Sequence, residues 1–437
     1  MKKRNLPVLL TICLGILAPV MFNGQNLYVK QIITANGGKF EFVPPYQDFV
    51  TLQSYNPVSG AVNIFQSVFT QSVQDVLIKG NIAYVAAQDS IIKLNLDTYQ
   101  RIAAVADSGL NKLYLIGNRL VVSKQYPVTT FFAEVLDTTD LSLVISIPGI
   151  SGDCGSMVKA GDSLYLTVNG GWMGTEGKIA VIETTGWTVT REINLGTEAV
   201  GMLSIFLYNN KLFTVNKSPF QTPETGSISS YNLVDYTFIN TVINKNIGFG
   251  AGIDGHLLYF GLNYGIGSFN LNTLQIEDSV VVPDPGSALF KYITSATIDT
   301  LNNHLYINIG DYVAAGTCLV ATLTGDSVTS FATGISSDAV TVDYREAPAG
   351  IENKRSESML LTLYPNPVSE RLTVKLLNQQ AIKEILITDM MGRAIMQKYT
   401  DDQKNSSTIM VNNLPAGLYS ITVKTSEISV KGKFMKK

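Results

Sequence analysis

The chain is poor in the residues that most catalytic and metal sites need. Its 437 residues include three cysteines and two histidines. His256 and His304 lie far apart, each in a short turn ("DGHLLYF", "NNHLYIN"), and no cysteine pair has CxxC spacing. A zinc or copper site built from clustered His and Cys is therefore not expected, and no cofactor or metal is assigned. Charged residues make up 15% of the chain, against about 25% in an average soluble protein, and the net charge is −3. Bulk charge thus draws the chain neither to nucleic acid nor to an anionic membrane. Beyond the first residues no run reaches about 18 apolar residues, so no transmembrane helix is expected. No G-x-S-x-G nucleophile elbow occurs. The glycine-rich "GFGAGIDG" (248–255) leads into no helix and fails the context test for a dinucleotide loop.

The two ends of the chain are informative. "MKKRNLPVLLTICLGILAPVMFNGQN" has a basic start (Lys2, Lys3, Arg4) and an apolar run from Leu6 to Phe22. It reads as a signal peptide over residues 1–24 for Sec-dependent export. Cys13 lies inside the apolar run after Ile12, where a lipoprotein signal would need a small residue. Cys154 and Cys318 remain, and they read as two separate buried thiols.

At the other end, "LYPNPVSERLTVKL" (363–376), "ILITDMMGRAI" (385–395), "NNLPAGLYSITV" (412–423) and "VKGKFMKK" (430–437) follow in order. Short, partly alternating strands separated by Asn, Gly and Pro turns predict a small β-sandwich. The segment resembles the C-terminal sorting domain of proteins exported by the type IX (Por) secretion system of Bacteroidetes. The resemblance is carried by Pro365, Asn366, Pro367, Asp389, Gly392, Leu414, Gly417, Tyr419, Lys433 and Phe434. It implies an immunoglobulin-like sandwich over residues 359–437, the translocon as partner, and delivery to the cell surface or the medium. The polar stretch 346–358, with Pro, Gly and mixed charges, reads as a linker.

Between these ends one pattern returns seven times, 37 to 55 residues apart: a turn of Asn, Asp or Gly, then Leu-aromatic-apolar, as in "DSLYLTV" and "NHLYINI". That period with strand-like composition predicts a β-propeller over residues 27–345, with four strands, A to D, per blade. The first unit lacks strand A, and the last leaves a spare one, "DAVTVDY" (338–344). A ring of seven blades closes if the spare strand completes the first blade. The fold class is therefore all-β, a seven-bladed propeller followed by a sandwich. The repeats resemble the YVTN-type surface-layer propellers and their bacterial cell-surface relatives.

Antiparallel blades put the B–C loops and D–A crossovers on one face. Most of the B–C loops carry an aromatic residue, and loops on a rigid scaffold are where binding residues collect. A ligand-binding face is expected around Phe40, Tyr46, Tyr126, Trp172, Phe220, Tyr264 and Tyr312. Ligand capture predicts a concave aromatic pocket there. The resemblance allows a small molecule, a corrinoid or a glycan as ligand. Loop-face carboxylates (Asp89, Asp153, Glu176, Glu224, Asp284, Asp311) form no calcium spacing, and no catalytic residue is assigned. The expectation is a binding protein rather than an enzyme. The alternatives are a hydrolase or lyase using those carboxylates, and a structural or adhesive interaction propeller.

Overall fold

The computed structural model describes residues 27–41, 47–217, 225–346, 361–376, 380–389, 393–400, 404–425 and 429–437. The signal peptide (1–24), nearly all of the expected linker, and Tyr46, Phe220, Glu224 and Gly392 lie outside them. So does the Trp172 side chain.

Residues 27–346 form seven four-stranded antiparallel sheets among the described residues. Six are built from consecutive strands. The first joins Ala339–Glu346 to Leu27–Asn36, Val50–Tyr55 and Val62–Val68, so both ends of this region meet in one sheet. The spare strand A does what the sequence repeat requires of it. It also runs further than expected: Glu346, placed by sequence in the linker, ends the strand. The neighbouring Arg345 pairs with buried Asp343 and with Asp97 of the second sheet, and so ties down the strand end.

The burial gradient explains the repeat. Strands B of the second to sixth sheets bury every residue after the first, because each is covered on both faces. Alternate side chains then serve opposite neighbours. In the strand Ile82–Ala87, Ala83 and Val85 pack toward the first sheet, and Tyr84 and Ala86 toward the third. This is why "LYV"-type runs are apolar without alternation. Seven apolar cores result, one between each sheet and the next. The seventh closes the ring, with Tyr306, Cys318 and Phe331 of the last sheet on Val29, Ile32, Tyr55 and Val342 of the first. Tyr55 and Phe331 stack there with centroids 4.0 Å apart. Buried Asn36 reinforces the seam by accepting from Gly334 N at 3.1 Å and from the Ser337 hydroxyl. The architecture is a β-propeller.

The C–D turns repeat a second signature. A side chain at the end of strand C (Asn56, Asn95, Asp137, Glu183, Asn232 or Asn270) accepts from backbone N–H groups two or three residues on. Four residues after it, Gly60, Tyr99, Leu141, Trp187, Tyr236 and Leu274 all have positive φ. Such side-chain mimicry of a backbone turn is what Asn and Asp favour. Trp187 thus has an architectural job, closing a turn with its ring in the core between the third and fourth sheets.

Cys154 and Cys318 are free, buried thiols in different cores. Burial pushes both thiols up, which keeps them protonated and inert.

The C-terminal unit is a sandwich of a three-stranded sheet (Leu361–Tyr364, Arg371–Leu376, Ser406–Met410) and a four-stranded one (Ala394–Tyr399, Glu384–Thr388, Gly417–Lys424, Ser429–Lys436). Leu372, Val374, Ile385, Ile387, Ile421 and Phe434 fill its core. The contacts of the chain separate this unit from Leu27–Arg345.

Candidate functional site

Strand register brings one position of six of the seven repeats to the same place on the loop face. The backbone N–H just after strand B donates to the carbonyl just before strand A: Gln125 to Gly109 (2.7 Å), Asn169 to Asp153 (3.0 Å), Lys217 to Gly201 (2.9 Å) and Asn263 to Asn246 (2.8 Å). Gly37 donates likewise to Ser336 at 2.6 Å, while in the second sheet Gln88 N uses the Gln74 side chain at 2.8 Å. Backbone at this position is locked in each case, but the side chain varies freely from Gly to Gln, Asn and Lys.

Three of these residues, Gln125, Asn169 and Lys217, share a cleft of about 400 Å³ between the third, fourth and fifth sheets. Asn111, Tyr126, Asp153, Gly171, Gly174, Gly201 and Leu203 complete its lining. Asn111 spans two sheets, donating to Cys154 O at 2.7 Å and to Gln125 Oε1 at 3.3 Å. Those two bonds use its NH2 group, so its carbonyl oxygen is the part left to accept. Asn169 Oδ1 accepts from Gly171 N at 3.0 Å, which leaves its NH2 group to donate. Gly171 has φ +64°, and a Cβ there would lie 2.1 Å from Asp153 Oδ2, so the Asp153 carboxylate rests on bare backbone. Burial raises the Asp153 pKa, and the Tyr126 N–H donated to it pulls partly the other way. Tyr126 is 83% exposed at the rim.

Four of the seven expected aromatic side chains, Phe40, Tyr126, Tyr264 and Tyr312, are described. Of those described, only Tyr126 lines the cleft. Tyr264 and Tyr312 lie on the sixth and seventh repeats, where Tyr292 separates them with centroids 6.5 and 6.4 Å away. Both are about half exposed, as is Phe40 on the first repeat. Tyr264 and Tyr312 belong to the sixth and seventh repeats, whereas the cleft lies between the third, fourth and fifth sheets.

Most of the loop carboxylates are spent on their own loops. Asp311 accepts from Val313 N and Ala314 N (2.9 and 2.7 Å), and Asp284 from Gly286 N and Ser287 N (2.9 and 2.7 Å). Glu176 pairs with Lys178 at 2.8 Å. The Ser287 hydroxyl, with the Gly286 and Ser287 N–H groups, holds the Asp284 carboxyl below the usual range, and the Ala314 and Val313 N–H groups do the same for Asp311. His256 and His304 sit at the A–B turns, away from the cleft. Sequence reasoning missed Asn111, Lys217 and Asp338. Asp338 lies where the chain enters the first sheet, and burial lifts its pKa to about 7 with Lys112 opposing.

In the sandwich, Asn366 Oδ1 accepts from Met435 N at 2.8 Å and its amide donates to Lys433 O at 3.3 Å, pinning the last strand. Tyr419 donates to Pro415 O at 2.9 Å and stacks on buried Phe434, centroids 5.6 Å apart. Asp389 holds Arg393 through its N–H (2.9 Å) and Nε (2.7 Å). Gly417 opens the strand of Tyr419.

Residues 362–437 match the family described as the secretion system C-terminal sorting domain. No curated protein matches the chain. Among solved structures, a putative 6-phosphogluconolactonase from Bacteroides uniformis aligns with TM-score 0.54 and 11% identity, over 72% of this chain and 99% of that one. PorZ from Porphyromonas gingivalis, a surface component of the type IX secretion system, aligns with TM-score 0.39 and 10% identity, over 89% of this chain and 73% of that one. BamB from Moraxella catarrhalis aligns with TM-score 0.43 and 13% identity, over 75% and 99%. At these identities the likeness speaks to fold alone. The chain is an exported β-propeller whose sorting domain directs it to the cell surface or beyond and engages the type IX machinery. No helix of the described residues is long and apolar enough to cross a membrane.

Proposed function

We propose that the propeller is a binding protein that holds a small polar molecule in the cleft between its third, fourth and fifth sheets. The observation that carries this reading is the lining itself. Amide donors and an amide acceptor (Gln125, Asn169, Asn111), one carboxylate, one ammonium and an exposed tyrosine converge from three repeats on one concavity of about 400 Å³. Ligand sites are concave, with a few placed polar groups that fix orientation. The volume lies at the low end of the usual range of about 300–1,000 Å³. It suits a ligand of sugar or dipeptide size, not a whole corrinoid. Among the described residues the cleft holds a single carboxylate, Asp153, whereas glycoside hydrolysis by the common route needs two.

The test is a thermal-shift screen of the exported chain against monosaccharides, disaccharides, amino acids and dipeptides, followed by calorimetry. A ligand that binds the native state raises the melting point by mass action. Asn169→Ala should weaken the hit about tenfold, the scale of one lost hydrogen bond to a charged or well-placed group. A hit of unchanged affinity in both Asn169→Ala and Tyr126→Ala would put the site elsewhere, and no hit in the screen would remove the reading.

A further inference from the structure

We infer that the cleft selects a small zwitterion, with the ligand's amine at Asp153 and its carboxylate at Lys217; this rests on the binding reading above. Two opposite charges line the same concavity, and among the described residues neither has a protein counter-charge in an ion pair. Asp153 comes from the crossover between the third and fourth sheets, and Lys217 from the end of strand B of the fifth. Among the described residues no ion pair engages either one, and no salt bridge joins them to each other. Nearby charges are already satisfied. Lys178 is paired with Glu176 at 2.8 Å, and buried Lys124 is held by Asp107 and Glu134.

Both groups stand on fixed backbone. Asp153 O accepts from Asn169 N (3.0 Å), and Lys217 N donates to Gly201 O (2.9 Å). Gly201 N in turn donates to Glu176 O at 2.9 Å, tying the fourth sheet to the fifth. Gly201 has φ +69°, and a Cβ there would lie 2.4 Å from Lys217 O, so the lysine can sit this close only against glycine. The backbone that carries both charges is therefore fixed before any ligand arrives, which lowers part of the ordering cost of binding.

The selectivity argument follows from desolvation. A ligand entering the cleft strips water from both groups. A neutral ligand leaves two uncompensated charges, and a singly charged one leaves one. A zwitterion of matching polarity satisfies both, and the reverse polarity is repelled twice. The Asn169 NH2 and Asn111 oxygen then bond to the ligand's middle. Two sources share this chemistry: amino acids or short peptides, and amino-sugar acids.

Calorimetry on the exported chain at neutral pH distinguishes the outcomes, with alanyl-alanine and muramic acid as the zwitterionic probes. The controls are N-acetyl-alanyl-alanine, alanyl-alanine amide and N-acetylglucosamine. At least one zwitterion should bind about tenfold or more tighter than its singly charged or neutral analogue. Asp153→Asn should erase the preference over the N-acetylated probe yet keep the preference over the amide. Lys217→Gln should do the reverse. Both variants are near-isosteric, and their melting points check folding. If N-acetylglucosamine binds best, and equally well to both variants, the zwitterion inference fails while the cleft reading stands. Absence of binding by either zwitterion at about 10 mM, a concentration that reveals even millimolar dissociation constants, overturns the inference outright.

Discussion

In the C-terminal sandwich, the residues that recur in the sorting motif hold the domain together. Asn366 pins the final strand through Met435 and Lys433, and Tyr419 and Phe434 stack in or beside the core. In the propeller the recurring residues also build the fold: the apolar strand B and the Asn or Asp at the end of strand C. The proposed function draws instead on the position just after strand B, occupied in the first six repeats by Gly37, Gln88, Gln125, Asn169, Lys217 and Asn263. A bond from its N–H, to backbone in five repeats and to the Gln74 side chain in the second, fixes that position, which frees its own side chain to differ. One unit thus uses its signature for structure and address together, whereas the other separates the two. Sandwich substitutions at motif positions should cost both stability and export, and propeller substitutions at the variable position should cost binding with little change in stability.

Phe434→Ala is the strongest test. The ring is fully buried and packs against Tyr419. Truncating such a ring costs about 3–5 kcal/mol, enough to unfold a domain this small. Limited proteolysis of the full chain should then release an intact propeller while the sandwich is degraded. Secretion should fall, with the protein retained in the cells. Normal secretion of a chain with a degraded sandwich would break the link between motif and address.

Gly201→Ala comes next. It forces a Cβ onto the Lys217 carbonyl at a left-handed backbone position, where strain of about 1–3 kcal/mol is usual. The expected result is a lower propeller melting point with the sandwich transition unmoved. Lys217→Gln, at the adjoining variable position, should leave the melting point within about 0.5 kcal/mol of stability, as surface substitutions do. The contrast between those two neighbours sharpens the separation of structure from chemistry.

Much of this fold was legible because its physics is local and repeated. Burial on both faces makes strand B apolar in repeat after repeat, and the turn after strand C takes Asn or Asp in five repeats and Glu183 in the fourth. The unmatched chain ends showed how the first sheet is completed, though not that the strand extends through Glu346. The cleft was not legible for the opposite reason. Asn111, Asp153 and Lys217 belong to three repeats, and each by itself looks like an ordinary strand-end or loop residue. Aromatic content singled out the loops as a set, but Tyr264 and Tyr312 lie on the sixth and seventh repeats, away from the cleft that Tyr126 lines. The available signal was subtler: aligning the residue after each strand B shows amides giving way to a lysine next to the repeat with the glycine-rich loop.

Asn366→Ala should have a smaller effect than Phe434→Ala. Its side chain makes two bonds at the surface, each worth about 0.5–1.5 kcal/mol net. A drop in the sandwich melting point without unfolding at 25 °C is expected, by differential scanning calorimetry. If stability falls but secretion is unchanged, the motif asparagine serves structure alone. If secretion collapses while the sandwich stays folded, Asn366 is read by the translocon as well.

The smallest effect concerns Asp338, at the loop-face entry to the first sheet. Burial holds its pKa up at about 7, with Lys112 the opposing charge and the Tyr312 hydroxyl nearby. In the unfolded chain the carboxyl titrates near its ordinary value of 3.8. Between these values the folded state keeps a proton that the unfolded state has lost. Stability therefore falls as pH rises from about 4 to about 7 and levels off above it. The folded pKa of Asp97, by contrast, is lowered to about 2 by Lys30, so its contribution is lost only as pH falls below 4. Asp107 and Asp153 are also raised by burial and slope the same way as Asp338. The difference between wild type and Asp338→Asn between pH 5 and 8 isolates the one group. After allowance for its partial exposure, about 1 kcal/mol is expected, or roughly 2 °C in melting point for a unit of this size. The wild type should lose that margin across the interval, and the variant should not. Parallel curves would mean that the carboxyl is hydrated, and that the entry to the first sheet is as open to water as the rest of the loop face.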